Sequence, residues 1–253
     1  MIKRVLIYFL VLSPLLVLAQ LETSADWKRQ IYDREYTFGI VGHTMGYGLD
    51  FRYLKFKDAF NKKGLEFELT KLRHPKENTR SPDRSYSNAK GYVFDRENSF
   101  FTLRTGYIYE KILFDKTDQG TVAISYVLSG GISLGLLKPI YVEVPEDENS
   151  TFSPRKIERY NHQKHLGSTI YGEASFFHGI GETKLHPGIY AKVGSIFNYQ
   201  LLEKKVTSLE AGIVYDLFYK EVPIFYEDPG GEDVNLQGFF QMYLAFNFGY
   251  RKN

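Results

Sequence analysis

The 253-residue chain contains no cysteine, which excludes a disulfide framework, a thiolate metal site and a lipoprotein anchor. Its 32 basic and 30 acidic residues leave a formal net charge of +2 without a single-sign block, so there is no basic arm for nucleic acid. Tyr and Phe number 20 each against one Trp, and the resulting 16% aromatic share outruns an ordinary core and suits outward ring faces and interfacial girdles.

The first residues have the form of a secretory leader. Lys3 and Arg4 supply the positive start, residues 5–18 the apolar stretch, and Val17-Leu18-Ala19 a small-residue cleavage site before Gln20. The apolar run is shorter than the roughly 20 residues a membrane-spanning helix needs, and Pro14 interrupts it. The expected organisation is a signal peptide over 1–19, a periplasmic lead-in over 20–34 and a β domain over 35–253.

Eight segments then alternate apolar with polar or tiny residues, as strands do when successive side chains point to opposite faces. Residues 36–43 put Tyr36, Phe38 and Ile40 on one face, and 47–57 set Tyr47, Leu49, Phe51 and Tyr53 against Gly48, Asp50 and Arg52. This second segment loses phase at Leu54 and Phe56, as at a bulge or a membrane boundary. Residues 65–72 alternate Leu65, Phe67 and Leu69 with Glu66, Glu68 and Thr70, a mixture that neither a soluble core nor a helix favours. Residues 99–111 send Phe101, Leu103, Tyr107 and Tyr109 outward and Thr102, Arg104, Gly106 and Glu110 inward. In 121–136 the outward set Val122, Ile124, Tyr126, Leu128, Ile132 and Leu134 opposes an inner face of small residues, Ala123, Ser125, Ser129, Gly131, Ser133 and Gly135. Residues 188–199 set Ile189, Ala191, Val193 and Phe197 against Tyr190, Lys192, Gly194 and Asn198. Glu210 and Asp216 hide among Leu209, Ala211, Ile213, Tyr215 and Leu217 in 209–219. Finally, 239–250 sends Phe240, Met242, Leu244, Phe246, Phe248 and Tyr250 one way and Gln241, Tyr243, Ala245, Asn247 and Gly249 the other.

The links between these segments alternate between short (58–64, 114–120, 200–205) and long (73–98, 139–187, 220–235), the order required of a barrel with both chain ends in the periplasm. Only the first outer link, 44–46, is short where a longer loop is ordinary. The long links are polar and rich in turn residues, down to the cluster Glu227-Asp228-Pro229-Gly230-Gly231. Within the longest, Ile170, Tyr171, Ala174, Phe176 and Phe177 predict a short amphipathic helix over 170–180, ended by Gly179 and Gly181. The fold class is thus all-β, a closed antiparallel up-and-down transmembrane barrel of eight strands with a short helix in a long outer loop. A split of 121–144 leaves ten or twelve strands open. A secreted β-sandwich also uses short alternating strands, yet it does not need rings on faces whose opposite sides carry isolated Glu, Arg and Lys.

The leader ending at Ala19, the alternating segments and the closing strand 241–250 with its terminal Tyr250 resemble the small outer-membrane β-barrel family, comprising OmpA- or OmpX-like barrels and PorT-type barrels of Bacteroidota. In that family the last strand commonly ends on the final aromatic residue, which the barrel-assembly machinery reads during insertion; here Arg251-Lys252-Asn253 follow it. The resemblance implies residence in the Gram-negative outer membrane after cleavage near Ala19, contact with outer-membrane lipid and the assembly machinery, and outer-membrane or surface protein partners.

Eight strands enclose just enough room for their own side chains. The inward set His43, Asp50, Arg52, Glu66, Glu68, Arg104, Glu110, Lys192, Glu210 and Asp216 is therefore expected to pair as an internal plug, since buried ions persist only when partnered. The lipid-facing set is Phe101, Leu103, Tyr107, Ile124, Tyr126, Leu128, Ile213, Leu244, Phe246 and Phe248. No phosphate loop, nucleophile elbow or metal-spaced carboxylate cluster is present, and no cofactor is implied. His43 near Thr44 and Asp50 is the best-placed base for an outer-rim enzyme of lipid A acyl transfer or deacylation; His162 and His165 form at best an accidental ligand pair. The favoured function is non-enzymatic, a structural or interaction role as a subunit of an outer-membrane assembly or secretion complex, with the lipid-modifying enzyme and a narrow channel as alternatives.

Overall fold

A computed structural model describes residues 32–73, 77, 79–80, 92–93, 95–114, 122–146, 154–165, 170–199, 204–226 and 235–253. The leader expected over 1–19 lies outside these residues, as do most of the lead-in and the turn cluster at 227–231. The strands in chain order are β1 (Arg34–His43), β2 (Gly46–Phe56), β3 (Asn61–Leu72), β4 (Thr79–Arg80), β5 (Tyr92–Val93), β6 (Asn98–Phe114), β7 (Ala123–Pro139), β8 (Tyr141–Pro145), β9 (Arg155–Arg159), β10 (Gly172–Glu173), β11 (Lys184–Asn198), β12 (Lys205–Val222) and β13 (Leu236–Lys252).

Eight of them close a barrel in the order β1-β13-β12-β11-β7-β6-β3-β2, every neighbouring pair antiparallel. Closure is made by β1 on β13, where Tyr36 opposes Tyr250, Phe38 opposes Phe248 and Arg34 opposes Lys252. The closing strand thus runs on past its terminal aromatic, with Arg251 and Lys252 inside the ladder. The eight-stranded antiparallel barrel agrees with the sequence reading, and it follows from the period of two: a one-residue slip anywhere would carry the charged row outward and the aromatic row inward.

Side-chain burial is inverted relative to a water-soluble barrel. Phe38, Ile40, Leu49, Phe51, Leu65 and Phe67 stand exposed on the outside, whereas Arg52, Lys62, Arg104, Glu66, Glu210 and Asp216 are almost fully buried within. The lumen is filled in layers. At the long-loop end Leu72, Phe100, Leu137, Phe218, Val222 and Phe239 form an apolar lid, with Phe100, Phe218 and Phe239 in mutual ring contact. At the short-turn end Leu54, Ile108, Val127 and Ile196 form an apolar plate. The charged residues lie between and below these layers.

The structure departs from three sequence expectations. Strand β2 does not lose phase, because its register against β1 and β3 is unbroken; Leu54 is simply an inward apolar residue at 1% exposure. The split of 121–144 does not enlarge the barrel, since β8 leaves it to join a separate three-stranded sheet, β10-β8-β9, over a core of Ile140, Val142, Val144, Tyr160 and Ile170. The helix expected over 170–180 is absent: Gly172 and Glu173 pair with Glu143 and Val142, and the Tyr171 N–H donates to Glu143 O at 2.8 Å, so backbone groups a helix would use belong to a sheet. The long connection carries its short helix elsewhere, α1 (His162–His165), with one 3-10 turn at Ile180–Glu182. Asn161 caps α1, its Oδ1 accepting the Lys164 N–H at 3.2 Å.

The long connections are tied to each other across the barrel mouth. Arg96 bridges to Phe225, the Glu97 N–H donates to Ile224 O at 2.9 Å, the Ile140 N–H to Glu97 O at 2.9 Å and the Tyr226 N–H to Asp95 O at 3.0 Å.

Candidate functional site

The charged interior is built by three cations that each reach non-neighbouring strands. Arg52 on β2 donates from Nη1 and Nη2 to the two carboxylate oxygens of Glu210 on β12, at 2.5 and 3.1 Å, and from Nε to Glu66 on β3 at 3.1 Å. Arg104 on β6 grips Asp216 on β12 through Nε at 2.9 Å and Nη2 at 2.6 Å, and its Nη1 donates to Glu68. Lys192 on β11 donates to Glu66 and Glu68 across the lumen at 2.9 and 2.8 Å while lying 4.5 Å from the centroid of the Tyr243 ring. Planar forks suit the two arginines to bidentate carboxylates, and the flexible ammonium suits Lys192 to bridging two.

Neutral side chains complete the network. Tyr243 Oη donates to Glu210 at 2.6 Å, Ser129 to Glu66 at 2.6 Å, Ser133 to Asp216 at 2.8 Å and Gln241 to Asp216 at 3.0 Å. The small inner face of β7 therefore has a role: its hydroxyls reach carboxylates rooted on other strands, where larger residues would block them. Asp50 Oδ2 sits 2.7 Å from Arg52 Nε, and Asp50 and Asn247 fill the space above Gly39, where a Cβ would stand 2.1 and 2.2 Å from their oxygens.

Of the ten inward residues expected from sequence, His43, Asp50, Arg52, Glu66, Glu68, Arg104, Lys192, Glu210 and Asp216 come together in this central group. Glu110 does not. It lies nearer the short-turn end, where Lys62 Nζ donates to it at 2.9 Å and to Glu35 at 3.0 Å, and Arg251 Nε donates to Glu35 at 2.8 Å. Glu35, Lys62 and Arg251 were missed because they fall outside the strand limits drawn from sequence; continuing the alternation from His43 back to Glu35 and from Glu66 back to Lys62 finds two of them. His43 places Nε2 3.1 Å from Glu68 and its ring 6.0 Å from that of Tyr243, so its carboxylate partner is Glu68, on β3, where the sequence pointed to Asp50. The ten residues of the lipid-facing set all lie on the outer face; Phe101, Ile124 and Tyr126 are half-buried there and the other seven exposed.

A second polar cluster sits in the long connections. His162 Nδ1 lies 2.5 Å from Asp95 and its ring stacks on Tyr226 at 4.3 Å. His165, stacked on Tyr160, contacts Glu158 at 2.8 Å, and Lys164 donates to the same carboxylate at 2.5 Å. The Lys164 hydrogen bond, and after it that of His165, hold the Glu158 carboxyl down at about 2, whereas burial and then the Asp95 charge push the Tyr160 phenol up to about 12. Among the described residues no group of three or more His, Asp or Glu could hold a metal ion.

No protein-family model matches the chain, and no curated protein matches it. Among solved structures it is similar to Neisserial surface protein A (NspA), with 8% identity and a TM-score of 0.37 over 86% of this chain and 95% of that one. It is also similar to Ail, the attachment invasion locus protein of Yersinia pestis, with 8% identity and a TM-score of 0.37 over 87% of this chain and 99% of that one.

Proposed function

We propose that this chain is an integral outer-membrane β-barrel acting as a structural or docking element, its lumen stoppered by its own side chains and its long connections built into a platform for an outer-membrane or surface protein. The observation that carries this reading is the inverted polarity of the wall, with rows such as Phe38, Ile40, Leu244 and Phe248 uncovered and Arg52, Arg104 and Lys192 enclosed. Water gives such rows no reason to stay uncovered; acyl chains do, and a closed barrel meets its backbone hydrogen bonds without an edge. The leader over 1–19 supports export before insertion.

The layered interior favours docking over transport. A permeant ion would have to cross the Phe100–Phe218–Phe239 lid, a set of already paired charges and the Leu54–Ile108 plate. His43, the base an outer-rim acyl-transfer or deacylation chemistry would need, has its side chain enclosed in the lumen at 0% exposure beside Glu68, out of reach of a lipid at the rim, which counts against the enzyme reading.

The mature protein is expected to need detergent for extraction, to show heat-modifiable mobility and to give no conductance steps in planar bilayers. A monodisperse species in plain buffer defeats the membrane assignment, and reproducible conductance steps defeat the stoppered lumen. Cross-linking followed by detergent pull-down from native membranes is expected to recover a second protein; repeated recovery as a lone monomer overturns the docking role.

A further inference from the structure

The turn after β10 holds large apolar side chains for which the barrel wall gives no account. Phe176 and Phe177 are 51% and 78% exposed, and Ile180 and Leu185 nearby are 45% and 64% exposed. The turn is nevertheless held in place. Phe176 meets Phe101 edge-on at 5.8 Å between centroids and Phe177 edge-on at 5.9 Å. Lys138 Nζ lies 5.2 Å from the centroid of the Phe176 ring and donates to the His178 carbonyl at 3.1 Å. Gly179 closes the turn at φ 79, against the Tyr141 ring, which a Cβ would meet at 2.7 Å. Phe101 belongs to the outward row of β6, so residues 175–180 fold back over the outside of the barrel and extend its apolar wall at the long-loop end.

Resting on the membrane reading above, we infer that this turn is a lipid-inserted hook: the Phe176 and Phe177 rings seat at the acyl-to-headgroup boundary of the outer leaflet and set the height at which the β8–β9–β10 sheet rides. Two observations select lipid as the occupant. The patch is continuous with the lipid-facing row through the Phe101 contact, and lysines stand at the same level, with Lys71 Nζ 5.8 Å from the centroid of the Phe101 ring and Lys184 exposed at the start of β11. Snorkelling lysines belong at that depth of a bilayer, and apolar phenyl rings bury into the acyl boundary beside them. The hook makes the outer sheet ride on the membrane surface instead of swinging free above it.

The chain has one tryptophan, Trp27, so a Trp27→Phe background permits site-specific fluorescence. Leu244→Trp, midway along β13, and Phe177→Trp are each reconstituted in phosphatidylcholine vesicles whose acyl chains carry bromine either near the headgroup or near the methyl end. Leu244→Trp is expected to lose emission most with deep bromine, and Phe177→Trp most with shallow bromine together with a blue shift. Quenching at 244 with none at 177 overturns the hook and leaves the barrel in the membrane; that result is also what a second copy or a protein partner on the patch would give. No quenching at either site overturns the membrane reading itself. Phe176→Trp repeats the measurement where Phe177→Trp does not give a heat-modifiable band.

Discussion

Arg52 and Glu210 join strands that share no backbone hydrogen bonds: β2 is separated from β12 by β1 and β13, yet guanidinium and carboxylate meet through two hydrogen bonds in the centre of the lumen. Arg104 to Asp216 and Lys192 to Glu66 repeat the relationship from other sides of the barrel. The interior charges therefore act as cross-braces on a ring whose backbone ladders all join neighbours.

Arg52→Met leaves Glu210 buried without its bidentate partner and takes a neighbour from Asp50 and Glu66 as well. Removing one member of a buried pair costs about 3–5 kcal/mol, whereas replacing both with apolar residues of similar volume is close to neutral. The expected outcome in urea unfolding from vesicles is a loss in that range for Arg52→Met, with a substantial part recovered in Arg52→Met/Glu210→Met. Equal additive losses in the double variant would show that the two do not act as a brace.

Leu244 lies midway along β13 and Leu236 at its long-loop end, both facing out. On a lipid-facing wall the cost of a cation depends on depth, about 2–4 kcal/mol at the midplane and about 0–1 kcal/mol near the interface. Leu244→Arg should therefore destabilise the folded barrel by several times as much as Leu236→Arg in the same vesicles. Equal effects at the two positions would point to a wall that faces a single uniform medium.

The strands were legible because two constraints coincide on them: one face must be apolar and the other must carry ions that pair. Glu66 and Glu68 between Leu65, Phe67 and Leu69 leave no other regular structure. What stayed hidden is apolar on both faces. Leu54, Ile108, Val127 and Ile196 face inward, so near the barrel ends the alternation blurs and Leu54 imitates a loss of phase. The pairing of Lys62 with Glu35 and Glu110 was equally invisible, because partners 27 and 48 residues away are set by closure and register, not by local pattern. The outer connection misled for a related reason. Ile170, Tyr171 and Ala174 have helical spacing, but the distant Glu143 claims the backbone around them.

The contact between α1 and β9 has a defined acid limit. Glu158 is held at about 2 by Lys164 and His165, below its ordinary 4.5, so the charged form is favoured in the folded connection. A depressed carboxyl contributes stability that is complete above the unfolded value and is lost as pH falls from about 4.5 through about 2. Carbon NMR of Glu-labelled protein in micelles is expected to show one outer-connection carboxyl titrating near that lower value, moving up toward 4.5 in Lys164→Ala. An ordinary midpoint in the unaltered protein would refute the contact.

Stability and closure of the lumen should separate when a single layer is thinned. Leu54 is buried in the apolar plate with Ile108, Val127 and Ile196, so Leu54→Ala opens a cavity there and is expected to cost about 2–5 kcal/mol in vesicle unfolding. Conductance should nevertheless stay at zero, because the Arg52, Arg104 and Lys192 network and the Phe100–Phe218–Phe239 lid still lie in series above the gap. If the plate alone closed the barrel, the same variant would conduct in planar bilayers at the moment it lost stability. Measuring both quantities on one protein distinguishes a wall sealed at a single level from one sealed at three.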